Sequence, residues 1–355
     1  MNPKLIIIDC RSLQAPAING VIKVGRNFLK DLRKLSNNQK RMIIWTNGIK
    51  KIDENFIVEK KYFKHIHTRI PNILLHLTFK FLPIIKIDHL LIRKIKKQNK
   101  EFIKNTQKFY FGFDLRSIQL SKKIAKKTQY IHDIAFDKLK ENLSRKAKFF
   151  YYLMNPTKTI KNLDLIITNS KFSKSEIFRR FKHNKIRIIE PGLKKIGPKF
   201  KEKIINKKDY ILCISSSDPR KNLDQLVKIS KKKPDQEFIL VSNDFDYHKK
   251  IQTKSNFKIF KNLDETEIQK LIHEAKATIY LSNYEGFGMP IYESIQNRTP
   301  VIVNKNKHYI QTFKKENLSF IENENIPKDL KSIQKTNLYI SKHQSRKLLK
   351  AIIKL

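Results

Sequence analysis

Cysteine is almost absent from this chain: Cys10 and Cys213 are the only two in 355 residues. Each lies in an apolar, strand-like run, so both read as buried reduced thiols and not as a bridge. No uncharged apolar run reaches the roughly 18 residues that a bilayer-spanning helix needs. Met1 to Asp9 lacks the basic region, long apolar core and cleavage site of a signal peptide. These absences predict a cytoplasmic protein, with peripheral contact at the inner face of the membrane as a second placement. Carboxylates are scarce as well, 32 against 76 Lys plus Arg, for a formal charge of +44. Attraction to something anionic follows, be it nucleic acid, a phospholipid surface or a phosphorylated substrate. Arginine supplies only 14 of the basic residues and lysine 62. Arginine is the usual bidentate reader of phosphates and bases, so much of the charge reads as a lysine bias on solvated faces. No Arg/Lys stripe interleaved with base-stacking aromatics occurs, which leaves nucleic-acid binding as the alternative class.

What is present suffices for two packed domains: 40% hydrophobic residues in a chain of this length. Leu5 to Ile8 is a short apolar run ending in Asp9, and a loop holding Gly20 follows. From Val21 to Leu35 the spacing is helical, with Val24, Phe28 and Leu32 on one face. Arg41 to Thr46 is a second strand, and the strand-loop-helix-strand order predicts a parallel α/β domain. Thr128 to Ile131 delivers His132 and Asp133 into the loop behind it. Strands at Leu163–Thr168 and Lys185–Ile189 flank a helix over Ser170–Phe181, and Pro191-Gly192 stops the last strand. The lysine-rich stretch Lys194–Lys208, with Gly197-Pro198 inside it, is the expected connection between domains. The pattern then restarts with strands at Tyr210–Ile214, Glu237–Val241, Phe257–Phe260, Ala277–Ser282 and Pro300–Val303. Helices over Asn222–Lys231, Glu265–Ala275 and Pro290–Gln296 alternate with them, as in a doubly wound domain. Asn72 to Lys100 is dense in Leu, Ile and Phe and ends in Lys94, Lys96, Lys97 and Lys100. A buried helix with a solvated basic end is the commoner reading; contact with an anionic membrane is the other. His343 to Leu355 is a basic amphipathic helix.

The richest segment is Tyr284-Glu285-Gly286-Phe287-Gly288-Met289-Pro290-Ile291-Tyr292-Glu293. Two carboxylates stand eight positions apart around a glycine loop, directly after a strand. Pro290 suits the first turn of a helix, and Glu293 then falls about one turn inside it. Such a loop at the carboxyl end of a parallel strand holds ligands. Glu293 suits the two hydroxyls of a ribose, and Glu285 those of a sugar; a capping acid and a surface acid are the plainer reading. Asp218-Pro219-Arg220-Lys221-Asn222 lies between strand and helix, where an anion would meet backbone N–H groups together with Arg220 and Lys221. His132 at a strand end suits a substrate oxygen, with Asp133 placed to orient its ring. Neither histidine nor cysteine clusters around the acids, so no metal is expected.

Together these segments resemble the retaining glycosyltransferases of GT-B fold that include bacterial mannosyl- and other hexosyltransferases (glycosyl transferases group 1, family 4). That family's signature, a pattern like E-G-F-G-x-P-x-x-E, is matched in full from Glu285 to Glu293. Pro219-Arg220-Lys221-Asn222 is similar to its diphosphate-binding turn, and Ile131-His132-Asp133 to the loop that faces the sugar. Thr168-Asn169-Ser170-Lys171-Phe172-Ser173 and Ile188-Ile189-Glu190-Pro191-Gly192 resemble the two segments before its linker. Ile8-Asp9-Cys10-Arg11, with Asn19-Gly20 ahead of a helix, is similar to its first strand and acceptor-side loop. Departures are Ser215-Ser216, where relatives often carry Gly-Arg, and Arg298 in place of a glycine.

The resemblance implies two Rossmann-like doubly wound domains facing each other across a cleft. Residues 1–200 would form the acceptor-side domain, 201–340 the nucleotide-sugar domain, and 341–355 a C-terminal helix packing back on the first. It implies a nucleotide-diphosphate sugar as donor, a glycan or lipid-linked acceptor in surface polysaccharide or glycolipid synthesis, retention of anomeric configuration and no cofactor or metal. Arg220 and Lys221 would neutralise the diphosphate, and Glu285 with Gly286, Phe287, Gly288 and Met289 would hold the hexose. Glu293 would bind the ribose, His132 would contact the sugar near the reacting carbon, and Gly20 and Asp133 would lie on the acceptor side. A catalytically inactive relative acting as a scaffold is the remaining alternative.

Overall fold

In the computed structural model, described residues are all but 1, 15–19, 33–34, 36–39, 50–63, 83, 99, 101–102, 117–119, 122, 192–206, 244–255, 314–316, 334–340 and 354–355. Two compact units emerge, Met1–Lys194 with Tyr339–Leu355, and Lys195–Leu338. The boundary between them falls in a stretch, with Gly192 and Gly197-Pro198, that lies outside the described residues.

The first unit contains β1 (Lys4–Asp9), β2 (Lys40–Asn47), β3 (Lys64–Thr68), β4 (Gln107–Gly112), β5 (Ile124–Tyr130), β6 (Leu165–Thr168) and β7 (Ile186–Ile188). All pair in parallel, in the order β3-β2-β1-β4-β5-β6-β7. Its helices are α1 (Gly20–Leu32), α2 (Asn72–Phe81), α3 (Ile87–Gln98), α4 (Ala135–Lys138), α5 (Arg145–Met154), α6 (Pro156–Lys161) and α7 (Lys171–Phe181). Helices on both faces make the central strands apolar throughout, and Leu5, Ile6, Ile7 and Ile8 are all buried. Helix α1 buries Val24, Phe28 and Leu32, the face expected from spacing. Ser170 caps α7, its Oγ accepting from Ser173 N at 3.0 Å.

The second unit holds β8 (Lys208–Ile214), β9 (Glu237–Val241), β10 (Phe257–Phe260), β11 (Ala275–Tyr280), β12 (Val301–Val303) and β13 (Ser319–Phe320). Helices α8 (Leu223–Lys232), α9 (Glu265–Glu274), α10 (Met289–Gln296) and α11 (Lys307–Thr312) lie between them. The strand order β10-β9-β8-β11-β12-β13, again parallel throughout, is the 3-2-1-4-5-6 order of a Rossmann sheet. Asp264 and Glu267 form a capping box at the start of α9.

The stretch 72–100 corrects one expectation. It is two helices, not one, because Leu82 before Pro83 leaves the helical region, at φ −122° and ψ 70°. Strands β3 and β4 were not anticipated either. The last helix, Ser341–Ile353, sits in the first unit against α1, β4 and β5. Two strand lysines reach its final carbonyls: Lys126 Nζ donates to Ala351 O at 2.6 Å and Lys4 Nζ to Ile353 O at 3.2 Å. Cations are favoured at a helix carboxyl end, where carbonyls lack partners. Burial holds the Lys126 ammonium below its usual pKa, with Arg187 acting in the same direction. Lys126→Ala is expected to lower stability by about 1.5–3 kcal/mol, the range for a lost charged hydrogen bond. Urea denaturation of the two proteins measures it.

Candidate functional site

Ligands of open parallel sheets bind outside the carboxyl ends of the strands, where the strand order reverses. In the second unit that point lies between β8 and β11, which pair directly. A recess there is lined by Cys213 near the end of β8 and Ser215 just after it, by Ser282 and Glu285 after β11, and by Lys221, Gly288 and Tyr309. The loop after β8 carries a short turn of helix over Pro219–Lys221, started by Asp218, whose side chain accepts from Arg220 N. This turn aims Lys221 across the switch point, where its Nζ donates to Glu285 Oε1. Ser282 Oγ donates to the same oxygen at 2.9 Å. Asn283 N donates to Arg220 O at 2.8 Å and ties the two loops by backbone. Asn304 Nδ2 holds Leu281 O at 2.7 Å and Asn306 Nδ2 holds Ser282 O at 2.9 Å, so the loop after β12 braces the loop after β11.

Charge and burial oppose one another at Glu285. Burial alone would raise its pKa, but Lys221 and Arg220, with hydrogen bonds from Lys221 and Ser282, together hold the carboxyl below its ordinary value. The site therefore carries a full carboxylate at neutral pH beside two cations. Arg220 is itself anchored, its Nε 2.8 Å from Asp218 Oδ2. His308 on α11 feels Glu285 and Lys221, and burial pushes its pKa down to about 4. Burial likewise pushes the Cys213 thiol up to about 12, so it stays a neutral wall of the recess.

The glycine loop is placed by backbone geometry. Gly288 has φ +84°, a left-handed conformation that side chains rarely adopt. A Cβ there would also meet the Phe313 ring at 3.3 Å. Gly288 starts α10, and Pro290 follows in its first turn. Phe287 turns inward, stacked on Tyr292 at 4.5 Å between centroids, and Met289 is buried too. Gly286 and Gly288 are buried along with them, so the loop from Gly286 to Met289 is packed against the rest of the unit. Glu293 is 7% exposed, one turn into α10.

In the first unit, His132 follows β5. A carbonyl can only accept, so the 3.1 Å contact between Nε2 and Phe113 O places the proton on Nε2 and leaves Nδ1 as an acceptor. The ring packs on Tyr130 at 4.7 Å, and burial lowers its pKa to about 4. Asp133 Oδ1 accepts from Ala135 N at 2.9 Å at the start of α4. The ring orientation expected from Asp133 thus comes instead from Phe113 O, and Asp133 acts on His132 as a nearby charge. Gly20 begins α1 and is exposed, with nothing within 4 Å of where a Cβ would stand. Sequence reasoning missed a buried cluster at this unit's own switch point. Arg11 forks onto Asp9 at 2.7 and 3.0 Å, and Tyr110 Oη donates to Asp9 Oδ2 at 2.6 Å. It also missed Ser282, Asn304, Asn306, His308 and Tyr309, whose neighbours are distant in sequence. No group of three or more His, Cys, Asp or Glu converges among the described residues.

Residues 197–347 match the family Glycosyl transferases group 1. A curated relative, the O-antigen chain mannosyltransferase RfbU of Salmonella typhimurium, is 27% identical over 184 residues. That match covers 49% of this chain and 50% of the relative, so the chain is aligned with about half the length of the curated relative it matches. Among solved structures, the sucrose-phosphate synthase from Thermosynechococcus elongatus matches with a TM-score of 0.59 at 14% identity, over 92% of this chain and 86% of that one. A glycosyltransferase from Rickettsia africae ESF-5 matches with a TM-score of 0.57 at 17% identity, over 99% and 88%. The fold is thus GT-B-like, built from two Rossmann-like α/β units.

The buried histidines make a pH prediction. His76, His132 and His308 are all held near 4, below the usual 6.5. As pH falls from about 6.5 toward 4, the unfolded chain takes up protons that the folded one refuses, so stability declines in that window. Unfolding free energies from urea denaturation at pH 7 and pH 5 are expected to differ by on the order of 1 kcal/mol for each such group. His132→Gln is expected to shrink the difference, and a flat profile would contradict the assignment.

Proposed function

We propose that this protein is a retaining glycosyltransferase that moves a hexose from a nucleotide-diphosphate sugar to a glycan or lipid-linked acceptor. The observation that carries the reading is the Lys221–Glu285 pair at the switch point of the second sheet, inside the Glu285-to-Glu293 signature. Its place in the region matching the glycosyltransferase family supports the reading, as does the mannosyltransferase named above among relatives.

In this proposal Lys221 and Arg220 face the donor diphosphate, and their charge offsets the negative charge that grows on the leaving phosphate. Glu285, kept ionised by the same two cations, accepts from hydroxyls of the donor sugar. Backbone N–H groups around Gly286 and Gly288 approach the donor where no side chain intervenes. Glu293 accepts two hydroxyls of the nucleotide ribose. His132 is neutral, so its Nδ1 accepts from a substrate hydroxyl without adding charge. The bond from the anomeric carbon to the diphosphate oxygen breaks. A new bond forms to the acceptor oxygen on the same face, and the acceptor proton passes to the departing phosphate. None of these roles calls on a metal. Asp133 and Gly20 belong to the acceptor side. An acceptor in surface polysaccharide or glycolipid synthesis places the protein at the cytoplasmic face of a membrane.

Calorimetry with a panel of nucleotide sugars and free nucleoside diphosphates tests the proposal. Saturable binding is expected for at least one of them. Glu293→Ala is expected to abolish it, and Lys221→Ala to weaken it about tenfold or more, as loss of a charged hydrogen bond does. No binding by any member of the panel would sink the reading.

A further inference from the structure

We propose that α2, α3 and α5 of the first unit form one docking surface for an anionic phospholipid bilayer. A soluble helix normally hides its apolar stripe, yet here large apolar side chains point outward from two touching helices. Ile73, Leu74 and Phe81 of α2 are each about half exposed, and Ile84, just beyond it, is 90% exposed. Phe149 and Tyr152 of α5 are 57% and 61% exposed. Both helices have an inner face as well, with Leu75 and Phe79 of α2 and Leu153 and Met154 of α5 buried. The outward residues are therefore surplus to the core.

The two helices form one face. Lys80 Nζ donates to Tyr152 O at 2.9 Å, and the His76 ring meets Phe150 edge-on at 5.4 Å. From α6, Lys158 Nζ reaches back to Phe79 O at 3.3 Å. An exposed apolar cluster of this kind marks a binding surface.

Charge identifies the occupant. Arg93, Lys94 and Lys97 of α3, the next helix in the chain after α2, and Arg145, Lys146 and Lys148 of α5 itself are exposed. The sequence from Arg69 to Lys100 holds one acid, Asp88, which is buried and bonded to Ser121; from Leu143 to Asn162 there is none. A surface that pairs outward hydrocarbon with exposed cations on the same helices fits a layer that offers acyl chains beneath phosphates. Nucleic acid would leave Ile73, Leu74 and Ile84 idle, because aliphatic side chains give bases no stacking face. No described helix is long and apolar enough to cross a membrane, so contact on this face is peripheral. The inference deepens the membrane placement proposed above but draws on none of the donor-site residues.

The test is co-sedimentation of the full chain with phosphatidylcholine vesicles, with and without phosphatidylglycerol, at moderate salt. The protein is expected to follow the anionic vesicles and to stay in solution with the neutral ones. Ile84→Ser with Phe149→Ser is expected to lower vesicle affinity about tenfold or more. Lys94→Glu with Lys97→Glu is expected to remove the preference for anionic lipid. Nucleoside diphosphate binding by the second unit should be unchanged in both variants, which checks folding and separates the two proposals: either can fail while the other stands. Equal recovery with both vesicle types, absence of binding, or loss of RNA binding in these variants with vesicle binding intact would each overturn the docking surface.

Discussion

The ion pair between Lys221 and Glu285 joins residues 64 positions apart, and most of the second unit is arranged so that it can form. β8 and β11 are parallel neighbours, so the loops after them emerge at the same sheet end. A turn of helix aims the lysine, Ser282 Oγ holds the shared carboxylate oxygen, and two asparagines fix the backbone beneath it. A largely desolvated pair of this kind gains little net stability, because the cost of removing charge from water offsets the attraction. What it provides is a carboxylate and an ammonium held at fixed positions beside a recess. That is the property a polar, partly anionic ligand requires, and it underlies the function proposed.

The two units solve the same geometric problem with different chemistry. At the corresponding end of the first sheet, Asp9 and Arg11 are buried and paired through Arg11 Nε and Nη2, with Tyr110 completing the carboxylate. Arg11 also lies 4.7 Å over the Trp45 ring, and it exchanges hydrogen bonds with Arg116 through backbone carbonyls. Within this cluster Arg11 Nη1 is a buried donor with no hydrogen-bond partner among the described residues. Nearby, His132 keeps Nδ1 as an acceptor because Phe113 O takes the other ring nitrogen. The contrast explains why a basic chain can hold specific polar sites: specificity comes from a few fixed groups, while the exposed lysines supply a general attraction to anions.

Much of this was legible in short apolar runs. Glu237–Val241 and Phe257–Phe260 coincide with β9 and β10, and the α1 face follows directly from helical spacing. The signature loop was legible too, in the two glycines ahead of Pro290, and Gly288 takes a φ of +84° that side chains rarely adopt. Other features were hidden for physical reasons. β3 reads Lys-His-Ile-His-Thr, and only pairing with β2 makes it a strand. The break between α2 and α3 was written in Pro83 but masked by the apolar mass around it. The exposed face of α5 has no local signal, because Phe149 and Tyr152 look like core residues until the other side of the helix is seen to fill the core. Tyr309 reaches the recess, and His308 the field of Glu285 and Lys221, only through the fold of β12 and α11.

The most direct test of the account is hydrogen exchange of the intact protein with and without saturating nucleoside diphosphate. Slowed exchange is predicted in the turn at 215–222 and in the loop and first helical turn at 281–291. Little change is predicted on the β8–β11 strands themselves, which the sheet already protects. Protection confined to other segments, or none at either loop, would contradict the assignment of the switch point as the donor site.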